Sequence, residues 1–220
     1  MQEVVTYGLS SPEIQYLCAR DKRLAKLINT IGPISYVKRD AGDAFSFLVH
    51  EIIEQMLSVK AARIIYGRLE ALCENGICPD AINQLSDDEI RSIGTANSKV
   101  GYIRNLTNAV TSGELCFERL ESLSDQQVMN LLIAIKGIGS WTAKMYLLFV
   151  LDRKNVLPYE DVAFVQSFQW LHNTDSRDTS IIKKKCKKWA PYSSLASRYL
   201  YRALDSGLTK TKFHLYKQIE

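Results

Sequence analysis

The chain lacks any stretch that could span a bilayer. Its most concentrated apolar run, Leu147-Leu148-Phe149-Val150-Leu151, falls far short of the ~20 residues a membrane helix needs. The opening residues MQEVVTYGLSSPEIQYL show no basic segment followed by an apolar one, so no signal peptide is expected. Cysteine is sparse: Cys18, Cys73, Cys78, Cys116 and Cys186 are odd in number and scattered. That excludes a disulfide framework, and without paired C-x-x-C clusters it offers no zinc ribbon either. A reducing, intracellular setting is expected, the cytoplasm or nucleoid of a prokaryote or the nucleus of a eukaryote. Convincing period-2 alternation is missing as well, so the fold class is all-α. A large charge excess is also absent: net charge is +4 and the pI about 8.7. This suits a nucleic-acid partner and equally suits a solvated surface with a few extra lysines.

With 220 residues, 46% of them hydrophobic and 24% charged, the chain can bury one substantial core or two small, intimately packed lobes. Ser11-Pro12-Glu13 starts a helix whose apolar residues Ile14, Leu17, Leu24, Leu27 and Ile28 run on to the stop Ile31-Gly32-Pro33. Residues 34–43 read as a polar connection. Phe45, Leu48, Val49, Ile52 and Met56 share one face of a helix over Phe45–Leu57. Ser58 is placed to cap a second helix through Lys60–Cys73, ended by Asn75-Gly76. Ser86 with Glu89 and Ser124 with Gln127 are two capping boxes. Each is followed by an Ile-Gly pair, Ile93-Gly94 and Ile138-Gly139, either a degenerate echo of one helix–turn–helix unit or chance. Helices are predicted over Thr95–Val110, Asp125–Ile135, Val162–His172 and Ser194–Leu204. Ser140–Leu151 is apolar almost all round and should be the central buried helix. The run Lys183–Lys188 reads as a solvated face more readily than as a DNA contact.

Chemistry concentrates between Leu131 and Asp161. Ile135-Lys136-Gly137-Ile138-Gly139 joins two helix-like runs. Glycine at 137 and 139 lets the turn take angles closed to other residues and clears side chains from an approaching anion. The amides opening the next helix point outward toward a negative group such as a phosphate. An isolated G-x-G is more often a plain helix ending. Here an apolar helix follows at once, and the carboxylate of Asp161 comes twenty-two residues after Gly139, which reverses the preference.

Residues 131–161 resemble the hairpin and Pro/Asp loop of the helix-hairpin-helix DNA glycosylase superfamily. The similarity is greatest to its alkylated-purine branch, the 3-methyladenine DNA glycosylase II family, and covers roughly residues 10–205. The resemblance implies two helical lobes with a cleft between them in a single domain, 1–220. One lobe comprises about 1–40 plus 162–220, the other about 41–161 with the hairpin at 131–151. Asp161 matches the catalytic aspartate, which stabilises positive charge on the sugar as the N-glycosidic bond breaks. Glu160 is a weaker alternative. A role as helix N-cap is compatible with catalysis at Asp161.

Trp141 stands where backbone-cleaving relatives carry a Schiff-base lysine. The implied enzyme is therefore monofunctional and leaves an abasic site. Trp141, Tyr201 and Tyr146 are base-pocket candidates, whose π faces suit a cationic methylated purine. Gln55, Met56, Leu57 and Ser58 match the wedge region; Met56 or Leu57 is the wedge, or either is an ordinary helix-end residue. With Gly137, Gly139 and Thr142 they form the implied DNA-binding set. Carbonyls of Ile133, Ile135 and Ile138 are the implied ligands of a structural Na+ or K+. No cofactor is required and no iron–sulfur cluster is expected, because only Cys186 lies downstream of Asp161.

The implied partner is double-stranded DNA carrying alkylated bases such as 3-methyladenine or 7-methylguanine, bound by a monomer with no membrane. One departure stands out: Ser193 occupies the place of a family arginine, leaving its support of the loop or of a phosphate open. The alternatives are a non-catalytic hairpin module that binds DNA for a partner and a bifunctional glycosylase/lyase acting on oxidised bases.

Overall fold

The computed structural model describes residues 3–216, so the expected outer bounds 1 and 220 lie outside the described residues. The chain divides into two compact units, Met1–Lys38 with Asp152–Glu220, and Arg39–Leu151. The return crossing falls at 151/152, ten residues before the expected 161/162. The segment 152–161 groups with the terminal unit because its hydrogen-bond partners are there, as shown below.

The first unit begins with β1 (Val4–Tyr7), α1 (Pro12–Arg20), α2 (Lys22–Ile31) and β2 (Ile34–Val37). The single helix expected up to Ile31 is broken at Asp21. This residue is extended (φ −137°) and accepts from the amides of Arg23 and Leu24, capping α2. The apolar period runs through the break because both helices face one core. The expected polar connection contains a strand. β1 and β2 pair antiparallel with Val4 opposite Val37, and Thr6 Oγ1 meets Ser35 Oγ at 2.8 Å. Four residues a side are too few for an alternation to register in the sequence. The other regular elements among the described residues are helices.

The second unit holds α3 (Ala41–Glu54), α4 (Val59–Leu72), α5 (Pro79–Gln84), α6 (Asp87–Ser92), α7 (Asn97–Thr111), α8 (Phe117–Leu120), α9 (Asp125–Ala134) and α10 (Ser140–Phe149). Ser58 caps α4 through the Ala61 amide. Both capping boxes form with reciprocal bonds, Ser86 with Glu89 and Ser124 with Gln127. α10 buries six of its ten residues, as expected of a central helix. Leu48, Ile52, Leu106 and Leu132 of the same unit are fully buried.

The echo is real in geometry but offset by two residues from the Ile-Gly alignment. Gly94 (φ +98°) corresponds to Gly137 (φ +112°), each two residues before an uncapped helix start at Ala96 and Gly139.

The chain then returns to the first unit with α11 (Val162–His172), α12 (Thr179–Cys186) and α13 (Ser193–Asp205). Its core gathers Leu17, Leu24, Phe164, Phe168, Trp189 and Tyr199, all fully buried. Two of the five lysines of the run make contacts within the unit: Lys188 pairs with buried Asp21 at 3.0 Å, and Lys183 lies 4.0 Å over the Tyr159 ring. Among the described residues no helix is long and apolar enough to cross a membrane.

Candidate active site

The hairpin belongs wholly to the second unit. α9 ends at Ala134, Gly137 turns the chain with φ +112°, and Gly139 is the N-cap of α10. The two glycines serve different ends. A Cβ on Gly137 would lie 2.3 Å from Tyr102 Cγ and 2.4 Å from Tyr102 Cβ. α7 therefore packs directly on the turn and excludes any side chain there. Gly139 has φ −94°, an ordinary value, and nothing lies within 4 Å of where its Cβ would be. It is conformationally replaceable, but its bareness keeps the outer face of the hairpin open. No side-chain oxygen caps α10. Gly139, Ser140 and Lys136 are exposed. A helix start of this kind, with a lysine beside it, favours a bound anion.

Two amides brace the hairpin from behind. Gln55 Nε2 donates to the Gly137 carbonyl at 2.9 Å and to Thr142 Oγ1 at 3.3 Å. Asn105 Nδ2 donates to the Lys136 carbonyl at 3.0 Å. Two assignments change as a result. Thr142 is buried, at 1% exposure, with its hydroxyl turned to Gln55, so its side chain cannot reach DNA. Gln55 spends its amide on the hairpin and acts on DNA, if at all, by positioning.

The turn between α3 and α4 is tightly held. Lys99 Nζ donates to the carbonyls of Ile53 and Gln55 at 2.7 and 2.6 Å, and burial lowers the Lys99 pKa. From this clamp Met56 projects completely exposed, with φ +61°. Leu57 is 38% and Val59 74% exposed, and Ser58 is exposed while capping α4. An apolar apex in solvent, held at a backbone angle that costs ~1–2 kcal/mol for a residue with a Cβ, has no folding rationale. It has the form required of a wedge.

The pocket candidates divide. Trp141 is half-buried in the first turn of α10 and Tyr201 half-buried on α13. Tyr146 is fully buried and stacks on Phe117 at 6.1 Å, and burial raises its pKa. It is a core residue of the second unit with no face to offer a base.

Asp161 lies in the first unit as the N-cap of α11, where its Oδ1 accepts from the Phe164 amide at 2.7 Å. Its own amide donates to the Pro158 carbonyl at 3.0 Å, and its carbonyl accepts from Val165 at 2.9 Å. The carboxylate is thus fixed in place, while Glu160 is exposed beside it.

The loop leading to Asp161 is built by residues that sequence reasoning missed. Asp152, with φ +48°, accepts from Tyr36 OH at 2.8 Å and from Arg198 Nη2 at 2.9 Å. The Val156 amide donates to Ser194 Oγ at 2.9 Å, and Ser194 Oγ donates to the Arg153 carbonyl. Ser193, in the place of the family arginine, is buried and hydrogen-bonds Asn155 Oδ1 at 2.7 Å. Its role is loop support. No local pattern in the sequence pairs these residues.

Comparison with known proteins agrees with this fold. The model of the HhH-GPD superfamily base excision DNA repair proteins matches residues 49–191. DNA-3-methyladenine glycosylase 1 of Schizosaccharomyces pombe is 29% identical over 208 residues, 91% of this chain and 90% of that protein. The crystal structure of a DNA-3-methyladenine glycosidase from Bacillus halodurans is 35% identical and superposes with a TM-score of 0.81, covering 96% of this chain and 97% of that one. The S. pombe 3-methyladenine DNA glycosylase in complex with abasic DNA has the same fold, with a TM-score of 0.82 at 24% identity over 94% of this chain and 100% of that one.

Proposed function

Because the chain belongs to the HhH-GPD superfamily of base excision DNA repair proteins, we propose that it is a monofunctional DNA glycosylase that releases alkylated purines from double-stranded DNA. The fixed carboxylate of Asp161, capping α11 at the end of a braced loop, is the observation that carries the reading. The names of the relatives, 3-methyladenine glycosylases and glycosidases, support the substrate class.

The hairpin start at Gly139 anchors a backbone phosphate. Met56, with Leu57 beside it, enters the base stack and fills the space of the extruded nucleotide. The C1′–N bond breaks with its electron pair passing to the purine, which loses its positive charge. Asp161 faces the developing oxocarbenium ion and stabilises it, and a water oxygen then bonds to C1′ and releases one proton to the surrounding water. An N3- or N7-alkylated purine is already cationic, so little acid assistance is needed. Trp141 supplies an aromatic face. With no amine at that position no Schiff base forms, and the product is an intact abasic strand.

The carbonyls of Ile133, Ile135 and Ile138 suit a hard monovalent cation. Ile133 is among the last four carbonyls of α9, which lack intrahelical donors. Na+ or K+ there would tie the end of α9 to the hairpin. Trp141 and Tyr201 remain the base-pocket residues of this reading.

Asp161→Asn is the decisive variant, because asparagine also caps helices and the fold should persist. Base release from methylated duplex should be lost, with the melting temperature and DNA affinity close to wild type. Wild-type rates in this variant, or borohydride trapping of a covalent adduct by the wild type, would overturn the proposal.

A further inference from the structure

Outside the glycosylase machinery the second unit has a cavity of about 460 Å³, lined by Arg39, Asp43, Phe47, His50, Glu51 and Tyr66 among others. We infer that His50, Glu51 and Glu54 of α3 bind one divalent first-row transition-metal ion of the Zn2+ class at the edge of this cavity, where His50 and Glu51 line it.

Spacing is the first argument. His50 Nδ1 lies 3.5 Å from Glu51 Oε1 and 3.6 Å from Glu54 Oε2, and the three ligand atoms all fall within 4.8 Å of one another. Metal–ligand bonds of about 2.0–2.1 Å at a near-tetrahedral angle place ligand atoms about 3.4 Å apart. Two of the separations match that value already. They are also long for hydrogen bonds, which prefer about 2.7–3.0 Å. His50 and Glu54 stand one helical turn apart on the same face, the i, i+4 arrangement that lets two helix side chains share an ion. The His50 ring is oriented by an edge contact with Tyr66, centroids 4.9 Å apart.

Burial is the second argument. Glu51 is only 7% exposed, and its carboxylate meets His50 alone among the described residues, at 3.5 Å. A carboxylate so deep, with one distant partner, is costly unless a cation compensates it. One imidazole nitrogen with two carboxylate oxygens is a borderline donor set that suits Zn2+ or its neighbours, and the cavity leaves room for a water to complete the shell. Glu54 is the last residue of α3 and precedes Gln55, so an ion here would fasten the helix end from which the Gln55 brace and Met56 project.

The test is calorimetric titration of metal-stripped, full-length protein with Zn2+. One ion per chain is expected, bound in the micromolar range or tighter. His50→Gln and Glu54→Gln should each weaken it by more than the ~10–100-fold lost with an outer-shell partner. Co2+ should give a visible d–d absorption without a thiolate charge-transfer band. Melting of the metal-free variants checks that they fold; should H50Q fail, E54Q alone decides. The assignment is overturned if the wild type takes up no Zn2+, if the variants bind as tightly as wild type, or if a charge-transfer band places the ion on a cysteine.

Discussion

Gln55 Nε2 donates to the Gly137 carbonyl at 2.9 Å across 82 residues of sequence. One side chain therefore joins the turn that carries the exposed Met56 to the hairpin turn that precedes α10. Gln55→Leu keeps the volume and removes both hydrogen bonds of the amide. Stability should fall by ~1–2 kcal/mol, since a polar carbonyl also loses its partner. Base release should fall by a larger factor than DNA affinity, because the wedge and the anchor that we propose lose their common brace. Urea unfolding with parallel single-turnover assays checks both.

The hairpin glycines should separate in mutagenesis. Gly137→Ala meets Tyr102 at 2.3 Å and a φ of +112°, so it should destabilise the protein severely, beyond ~2 kcal/mol. Adding Tyr102→Ala removes the ring contacts but keeps a Cβ 2.4 Å away as well as the strained φ, so it should restore little of the loss. Gly139→Ala enters open space at an ordinary φ. It should melt as the wild type does, yet bind DNA more weakly because a methyl group occupies the outer face. Equal effects from the two alanines would contradict the division of roles.

Met56 offers a stability–activity trade. Met56→Gly relieves a left-handed residue that buries nothing and should leave the fold as stable as wild type or stabler by up to ~1 kcal/mol. Base release should drop sharply, with nonspecific DNA binding retained. Leu57→Ala should have the smaller catalytic effect, since Leu57 is the less exposed of the two.

The two units should respond to pH with opposite sign in the metal-free protein. In the first unit burial holds the His172 pKa down to about 4. The unfolded chain, with an ordinary value near 6.5, takes up the proton first. Stability from His172 is thus complete above about pH 6.5 and is lost as pH falls toward 4. The neighbouring Asp21 holds through this window. Burial raises its pKa, but bonds from Trp189, Lys188 and Leu24 outweigh burial and leave it lowered, so its contribution is lost only at still lower pH. His50 in the second unit is raised, chiefly by its contact with Glu51. It stabilises below about pH 6.5 and loses that contribution as pH rises through its folded value. Hydrogen exchange resolved by unit between about pH 4.5 and 8 should show the two trends, and His172→Phe should flatten the first.

Much was legible in the chain alone because its causes are local. Ser58, the boxes at Ser86 and Ser124, and Asp161 as a cap of α11 are interactions over three residues, and short-range spacing reveals them. The break at Asp21 and the strands β1 and β2 escaped. One preserves the apolar period, and the others are too short to have one.

What only tertiary structure decided are contacts far apart in sequence. Tyr36 and Asp152 meet across 116 residues, and Asn155 and Ser193 across 38. Tyr102 decides why position 137 must be glycine. On α10, packing places Tyr146 in the core, and the Thr142 hydroxyl turns to Gln55 rather than to the surface. The sequence by itself determined where the hairpin turn and the Asp161 carboxylate stand, since caps and turns are written in neighbouring residues. Which side chains brace them depended on packing between helices, where direction rather than order decides.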